Sequence, residues 1–214
     1  MKPVFDLSLY VITDPLLCAE RGVLETAVAA VRGGATMVQL RDKTANDDAL
    51  IRQGRALKQA LAGSGALLIV NDRIEVAAAV GADGVHVGQS DAAAETARRR
   101  LGPDAIVGLS VQTIEHALAL EPDDVDYVGV GPVFATGTKP DHAAPLGLDG
   151  LAQVCAACVL PAVAIGGLTA AHSSPVLAAG ARGLAVVSAI CAAPDPEAAA
   201  RAFTEVMKRL APSP

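Results

Sequence analysis

From Leu9 onward the chain repeats one unit eight times: a short aliphatic run, a polar loop, an Ala-rich stretch of helical character, and a small-residue turn into the next run. The runs are Leu9 to Thr13, Met37 to Leu40, Leu67 to Val70, Gly84 to Val87, Ile106 to Ser110, Tyr127 to Val130, Ala162 to Ile165 and Gly183 to Val187. None alternates strictly between polar and apolar, as expected for parallel strands covered on both faces. Helical stretches such as Asp47 to Ala62 and Pro196 to Leu210 fill the gaps. The pairs Gly34-Ala35, Gly81-Ala82 and Gly180-Ala181 end three of them, because Gly tolerates the left-handed conformation that follows a helix. Such alternation specifies a parallel α/β sheet. A length of 214 residues is ample for one core and cramped for two, so residues 1–214 are expected to form a single domain.

An eight-unit chain can close into a (β/α)8 TIM barrel or wind into an open sheet. The polar residues break the tie. Arg41, Lys43, Asn71, Asp72, Gln89, Asp91, Ser110, Thr136, Thr138, Lys139, Gly167 and Ser188 all lie at the ends of the runs or in the loops just after them. An open sheet spreads such positions along an edge, whereas a barrel gathers them at one mouth, so a barrel makes them a single site.

The remaining composition excludes several classes of partner. Hydrophobic residues make up 52% of the chain but aromatics only 2%, so burial rests on many small contacts. A net charge of -6 and a pI of 5.1, with Arg98 to Arg100 the one basic cluster, argue against nucleic acid. Residues Met1 to Pro15 carry Asp6 and Asp14 where a secretory leader needs an apolar segment, and Val154 to Leu168 is broken by Pro161, Gly166 and Gly167. A cytoplasmic protein without a membrane partner is expected, and its oligomeric state is left open, a homo-oligomer included. Cys155 and Cys158 form one CxxC, but no second Cys or His pair completes a zinc set, so both are expected to pack as small apolar residues.

The loops carry the chemistry. Gln39-Leu40-Arg41-Asp42-Lys43 sets two cations two residues apart, Arg a planar fork and Lys a point charge, suited to flanking a phosphate chain or to a solvated surface. Asp72 and Asp91 follow neighbouring runs and meet the preference of magnesium for one or two carboxylates completed by water and phosphate oxygens; each also suits a helix N-cap. Gly166-Gly167, with Val187-Ser188 after the eighth run, suits a phosphate held by backbone N–H groups, although Gly-Gly is also an ordinary turn. Between them the loop from Gly131 to Asp141 offers Thr136, Gly137, Thr138 and Lys139 as a cover that closes over phosphate.

Taken together, these residues resemble the thiamine phosphate synthase family, from Leu9-Tyr10-Val11-Ile12-Thr13-Asp14 to Ser188-Ala189-Ile190. The likeness runs through Gln39-Leu40-Arg41-Asp42-Lys43, Asn71-Asp72, Gly88-Gln89 with Asp91, Thr136-x-Thr138-Lys139, Ile165-Gly166-Gly167 and Val187-Ser188, in the family's order. The resemblance implies a transferase that joins an aminopyrimidine methyl diphosphate to a thiazole phosphate, plain or carboxylated, and releases diphosphate. It assigns Gln39, Arg41, Lys43, Asn71, Ser110 and Lys139 to the pyrimidine diphosphate, with Leu40 and Asp42 in the same binding segment. Asp72 and Asp91 fall to magnesium, and Thr136, Gly137, Thr138, Gly167, Val187 and Ser188 to the thiazole phosphate. Arg41, Lys43, Ser110 and Lys139 would be catalytic. Gln112, Ala135 and Pro140 depart from the family's usual His, Pro and second Lys, and His86 suits either the pyrimidine or a satisfied core position. The alternatives are a thiazole tautomerase relative, which needs no diphosphate leaving group, and a non-catalytic barrel that binds a phosphorylated metabolite.

Overall fold

The computed structural model describes residues 1–89, 91–138 and 144–210, with 91 and 92 described as helix backbone alone. Lys139, Pro140 and the carboxylate of Asp91 therefore lie outside the described residues. Among those described, eight parallel strands close into a barrel in sequence order: β1 Leu9–Ile12, β2 Met37–Leu40, β3 Leu67–Asn71, β4 Gly84–Val87, β5 Ile106–Val111, β6 Tyr127–Val130, β7 Ala162–Ile165 and β8 Gly183–Val186. The helices between and after them are α1 Val23–Arg32, α2 Asp47–Ala60, α3 Ile74–Val80, α4 Asp91–Leu101, α5 Ile114–Leu118, α6 Gly147–Ala157, α7 Ser173–Ala178, α8 Ser188–Cys191 and α9 Pro196–Leu210. The expected TIM barrel is the observed fold.

Each strand serves two cores, which is why none alternates in polarity. Leu9 and Val11, Leu68 and Val70, Val107 and Leu109, and Val128 and Val130 face the helices. Tyr10 and Ile12, Ile69, Ile106 and Tyr127 face the barrel axis, with Met37, Val163 and Ala185. On the outside, α9 closes the helical ring against α1, and close packing demands Gly33, since a Cβ there would meet Ala200 Cβ at 2.7 Å. The expected helix stops hold: Gly34, Gly81 and Gly180 all adopt positive φ.

Four strand ends differ from expectation, all at the mouth. β3 runs on to Asn71 and β5 to Val111, because Asn71 still pairs with His86 and Val111 with Val130. β1 stops at Ile12 and β8 at Val186, while Thr13 N–H still donates to Gln39 O at 2.9 Å. Asn71 is therefore a strand residue rather than a loop residue, and Ser110, expected to end its strand, lies one residue inside it. α2 ends at Ala60, two residues early, with Leu61 as its cap.

Cys155 and Cys158 are free thiols at the end of α6, and burial pushes Cys155 up to about 11, so the CxxC packs without a reactive thiolate. Among the described residues no helix is long and apolar enough to cross a membrane.

Candidate active site

The C-terminal ends of the strands surround a cavity of about 450 Å³, within the range of small-molecule sites. Gln39, Arg41, Lys43, Asn71, Asp72, Ser110, Thr136, Thr138, Gly167, Val187 and Ser188 all line it. Residues up to 149 positions apart in the chain thus meet at one mouth, as the barrel requires.

On the β2–β3 side the wall is built from side chains. Arg41 is anchored at its backbone, whose N–H donates to Thr13 Oγ1 at 3.0 Å, and its guanidinium lies 3.7 Å from Asp14. Asp14 is itself held by the Leu16 and Leu17 N–H groups at 3.0 and 3.1 Å. Lys43 is exposed at the rim. Alternation along β2 decides the rest of this segment: Leu40 turns outward into the core beneath the helices, where it is 1% exposed. Asp42 turns back on its own loop, accepting from Thr44 N, Thr44 Oγ1 and Ala45 N at 2.8, 2.7 and 3.0 Å. Burial raises the Asp42 pKa, but these donors outweigh it and hold the carboxyl below its ordinary value. Leu40 and Asp42, expected in the substrate-binding segment, thus turn their side chains to the outer core and to their own loop, while Gln39, Arg41 and Lys43 lie on the wall.

Asp72 sits in the left-handed region at φ 59, the one described non-Gly residue with positive φ. That conformation costs about 1–2 kcal/mol in a residue with a Cβ. It is held by Asp72 N–H donating to His86 O at 2.8 Å, which ties the end of β3 to β4. The helix-cap alternative fails here, because the cap of α3 is Arg73 and no side chain caps it. Asp72 instead presents its carboxylate to the cavity, with Asn71 Nδ2 donating to Oδ2 at 2.8 Å. Among the described residues no cluster of three or more His, Cys, Asp or Glu forms a metal cage. One carboxylate with open acceptor positions beside two cations nonetheless fits magnesium, which takes water and phosphate oxygens for most of its shell.

The opposite side is built from backbone. Gly166 and Gly167 follow β7 with φ 102 and 64. A Cβ on Gly166 would meet Pro132 Cβ at 2.5 Å, and one on Gly167 would meet Ala135 O at 2.5 Å. Only glycine lets this turn and the loop after β6 pack together, with Val133 and Phe134 N–H donating to Ile165 and Gly166 O at 2.8 and 3.0 Å. That loop is pinned at its start and carries Thr136 and Thr138 over the cavity, their hydroxyls 3.3 Å apart. Gly137, between them, is off the wall.

The floor escaped sequence reasoning. Tyr10, Ile12, Gly129, Val163 and Ala185 line it. His86 is both a cavity residue and a satisfied one: Nδ1 lies 3.0 Å from Tyr127 Oη and Nε2 3.1 Å from Ser110 Oγ. Burial pushes it down to about 4 against the opposing pull of Asp72, so its imidazole is neutral. Burial likewise raises both tyrosines. A signal for this layer was present in Gly108 and Gly129, on neighbouring strands, where a missing side chain makes room for the Tyr127 and His86 rings.

Known proteins resemble this chain in sequence and fold. The family described as thiamine monophosphate synthase matches residues 9–190. Thiamine-phosphate synthase of Azorhizobium caulinodans is 53% identical over 97% of this chain and 98% of its own, and that of Xanthobacter autotrophicus 55% identical over 95% and 96%. Among solved structures, thiamine phosphate pyrophosphorylase from Pyrococcus furiosus superposes with a TM-score of 0.85 at 37% identity, over 95% of this chain and 96% of that one. A native KDPGal structure, at 16% identity and a TM-score of 0.70, shares the fold alone. With the family match spanning the whole barrel, and whole-length relatives above half identity, the chain belongs to the thiamine monophosphate synthase family of transferases.

Proposed function

We propose that this cavity joins an aminopyrimidine methyl diphosphate to a thiazole phosphate and releases diphosphate, giving thiamine phosphate. The observation that carries the reading is the division of one 450 Å³ cavity into two unlike anion-binding walls. Arg41, Lys43 and Asp72 suit a diphosphate with its counter-cation. Gly166, Gly167, Val187 and Ser188 suit a single phosphate held by backbone N–H groups.

The reaction asks little of acid–base chemistry. The carbon–oxygen bond to diphosphate breaks, the electron-rich aminopyrimidine carries the methylene cation, and the thiazole nitrogen, already a nucleophile, forms the new carbon–nitrogen bond. Arg41 pairs bidentately with diphosphate oxygens and Lys43 adds a point charge at the rim, so both stabilise the negative charge that grows as the bond breaks. Lys139 would add a third cation from the loop. Asp72, with Asp91, would hold magnesium, which supplies further positive charge to the departing diphosphate. Gln39 and Ser110 orient the pyrimidine, and Thr136 and Thr138 engage the thiazole phosphate. Holding both rings in one cavity turns a bimolecular encounter into a positioned one.

The test is an assay of the purified protein with both substrates and magnesium. Thiamine phosphate and diphosphate are expected in equal amounts. No product overturns the reading, and a tautomerase relative or a binding protein both give that result.

A further inference from the structure

The chain contains two tyrosines, Tyr10 and Tyr127, 117 positions apart, and the barrel places both at its centre, 1% and 0% exposed. Their rings meet edge to face with centroids 6.0 Å apart, and their hydroxyls lie 3.0 Å apart. Gln39 Nε2 donates to Tyr10 Oη at 2.7 Å. On the far side, Tyr127 Oη meets His86 Nδ1 at 3.0 Å and His86 Nε2 meets Ser110 Oγ at 3.1 Å. Five polar side chains from β2, β1, β6, β4 and β5 therefore form one continuous relay. Gly108 and Gly129 make room for it: a Cβ on Gly108 would land on the Tyr127 hydroxyl, and one on Gly129 would lie 3.1 Å from His86 Cε1. The relay begins and ends on the cavity wall, at Gln39 and Ser110, while Tyr127 lies behind the wall.

A hydroxyl has one proton, so the direction at one end propagates to the other. Tyr10 accepts from Gln39 and gives its proton to Tyr127. Tyr127 gives its own to His86 Nδ1, which leaves the ring proton on Nε2, facing Ser110 Oγ. Ser110, accepting from His86, keeps its hydroxyl proton for a partner in the cavity. Gln39 gives one amide N–H to Tyr10, and the amide orientation fixed by that bond leaves Oε1 as the acceptor on its other edge. Two walls three strands apart thus offer one acceptor and one donor.

We propose that Tyr10 and Tyr127 are positioning residues that lock this polarity, so that the cavity selects a ring with an exocyclic amino donor on one side and an accepting ring nitrogen on the other. The inference deepens the proposed function and rests on it for the identity of the ring, a 4-aminopyrimidine. A 4-oxo counterpart would turn a carbonyl oxygen toward Gln39 Oε1, and the amide cannot flip without breaking its bond to Tyr10. Loss of the Tyr127 hydroxyl would free the Tyr10 proton to turn toward Gln39. The amide could then flip and accept the 4-oxo ring, although Tyr127 itself touches neither ring.

The test compares Tyr127→Phe with wild type in two measurements. The first is calorimetric binding of the 4-aminopyrimidine methyl diphosphate and of its 4-oxo counterpart, with magnesium and without thiazole phosphate. Wild type is expected to prefer the amino ring by about a hundredfold or more, and Tyr127→Phe to narrow that ratio at least about tenfold. The second is the ¹⁵N spectrum of His86 in the ligand-free protein, assigned with His86→Asn: a proton on Nε2 in wild type, and a tautomer mixture in the variant. An unchanged amino-to-oxo ratio in Tyr127→Phe, or an Nδ1 proton in wild type, overturns the proposal. If Tyr127→Phe does not fold, Tyr10→Phe breaks the relay at its cavity end and carries the same comparison. Failure of wild type to make thiamine phosphate overturns the function and with it the identity of the ring. The His86 tautomer, read without substrate, still judges the relay.

Discussion

At the base of the barrel, Asp83 accepts from Lys58 Nζ at 2.6 Å and from Leu68 N–H at 2.8 Å, and Asp126 accepts from Lys2 Nζ, from Arg98 Nη2 at 2.7 Å and from Val107 N–H at 2.8 Å. At the mouth, Asp72 accepts from Asn71 Nδ2 and forms no ion pair among the described residues. Asp83 and Asp126 each stand one residue before a strand and clamp the strand before it, while Asp72 stands one residue after. The base carboxylates have their lone pairs committed to structure, whereas the mouth carboxylate keeps acceptor capacity and is held in a costly left-handed backbone. Asp83 and Asp126 are spent on stability at the base, whereas at the mouth Asp14 and Asp42 brace their own loops and Asp72 stays available.

Replacement of Asp72 tests this division most severely. Asn is the right probe, because it tolerates the left-handed region better than Ala and removes the charge without the backbone strain. Asp72→Asn is expected to lower kcat/KM about a thousandfold, on the order of 4 kcal/mol of transition-state stabilisation, and to weaken the response to magnesium. Its urea midpoint should stay close to wild type. Intact turnover with lost stability would place Asp72 with the base carboxylates and erase the comparison.

The reciprocal change is expected at the base. Asp126→Ala leaves Lys2, Arg98 and the Val107 N–H without their acceptor. The cost is about 2–3 kcal/mol, below the roughly 3–5 of a fully buried pair because Lys2 is a third exposed. Urea unfolding measures it, and kcat/KM of the folded variant should match wild type. A turnover defect at temperatures where the variant is folded would show that the two ends are coupled.

What the chain disclosed in advance follows from the same division. β2, β4, β6 and β7 have the bounds expected of them; the end of β3 was misplaced because Asn71 looked like a loop residue, and β5 runs one residue past the polar Ser110 because Val111 still pairs with Val130. Asn71 and Ser110 are polar because they face the cavity, and they remain in the ladder because backbone pairing is indifferent to that. Arg41, Lys43 and Asp72 were visible as charges after apolar runs. Leu40 and Asp42, adjacent to them, were not separable by position, since a strand's alternation and a loop's own turn decide which way each one points. The pairing of Tyr10 with Tyr127 across the barrel leaves no spacing in the sequence at all. It was foreshadowed only by glycines such as Gly108, whose purpose is apparent once the ring that fills the space is seen.

The smallest expected effect is the pH dependence of the base, and its sign follows from the partners of Asp126. Burial raises the carboxyl, but Lys2, the Val107 N–H and Arg98 outweigh it and hold it below its ordinary value in the folded protein. A group depressed on folding contributes its full stability above its unfolded pKa, about 3.9 for Asp, and loses it as the pH falls through the lower folded value. Wild type should therefore lose stability below about pH 4 by more than Asp126→Asn does, so that their urea midpoints converge in acid and separate toward neutrality. Parallel acid limbs in wild type and Asp126→Asn would mean that Lys2, Arg98 and the Val107 N–H lend the carboxylate no charge-dependent stability, and the role of the base would have to be redrawn.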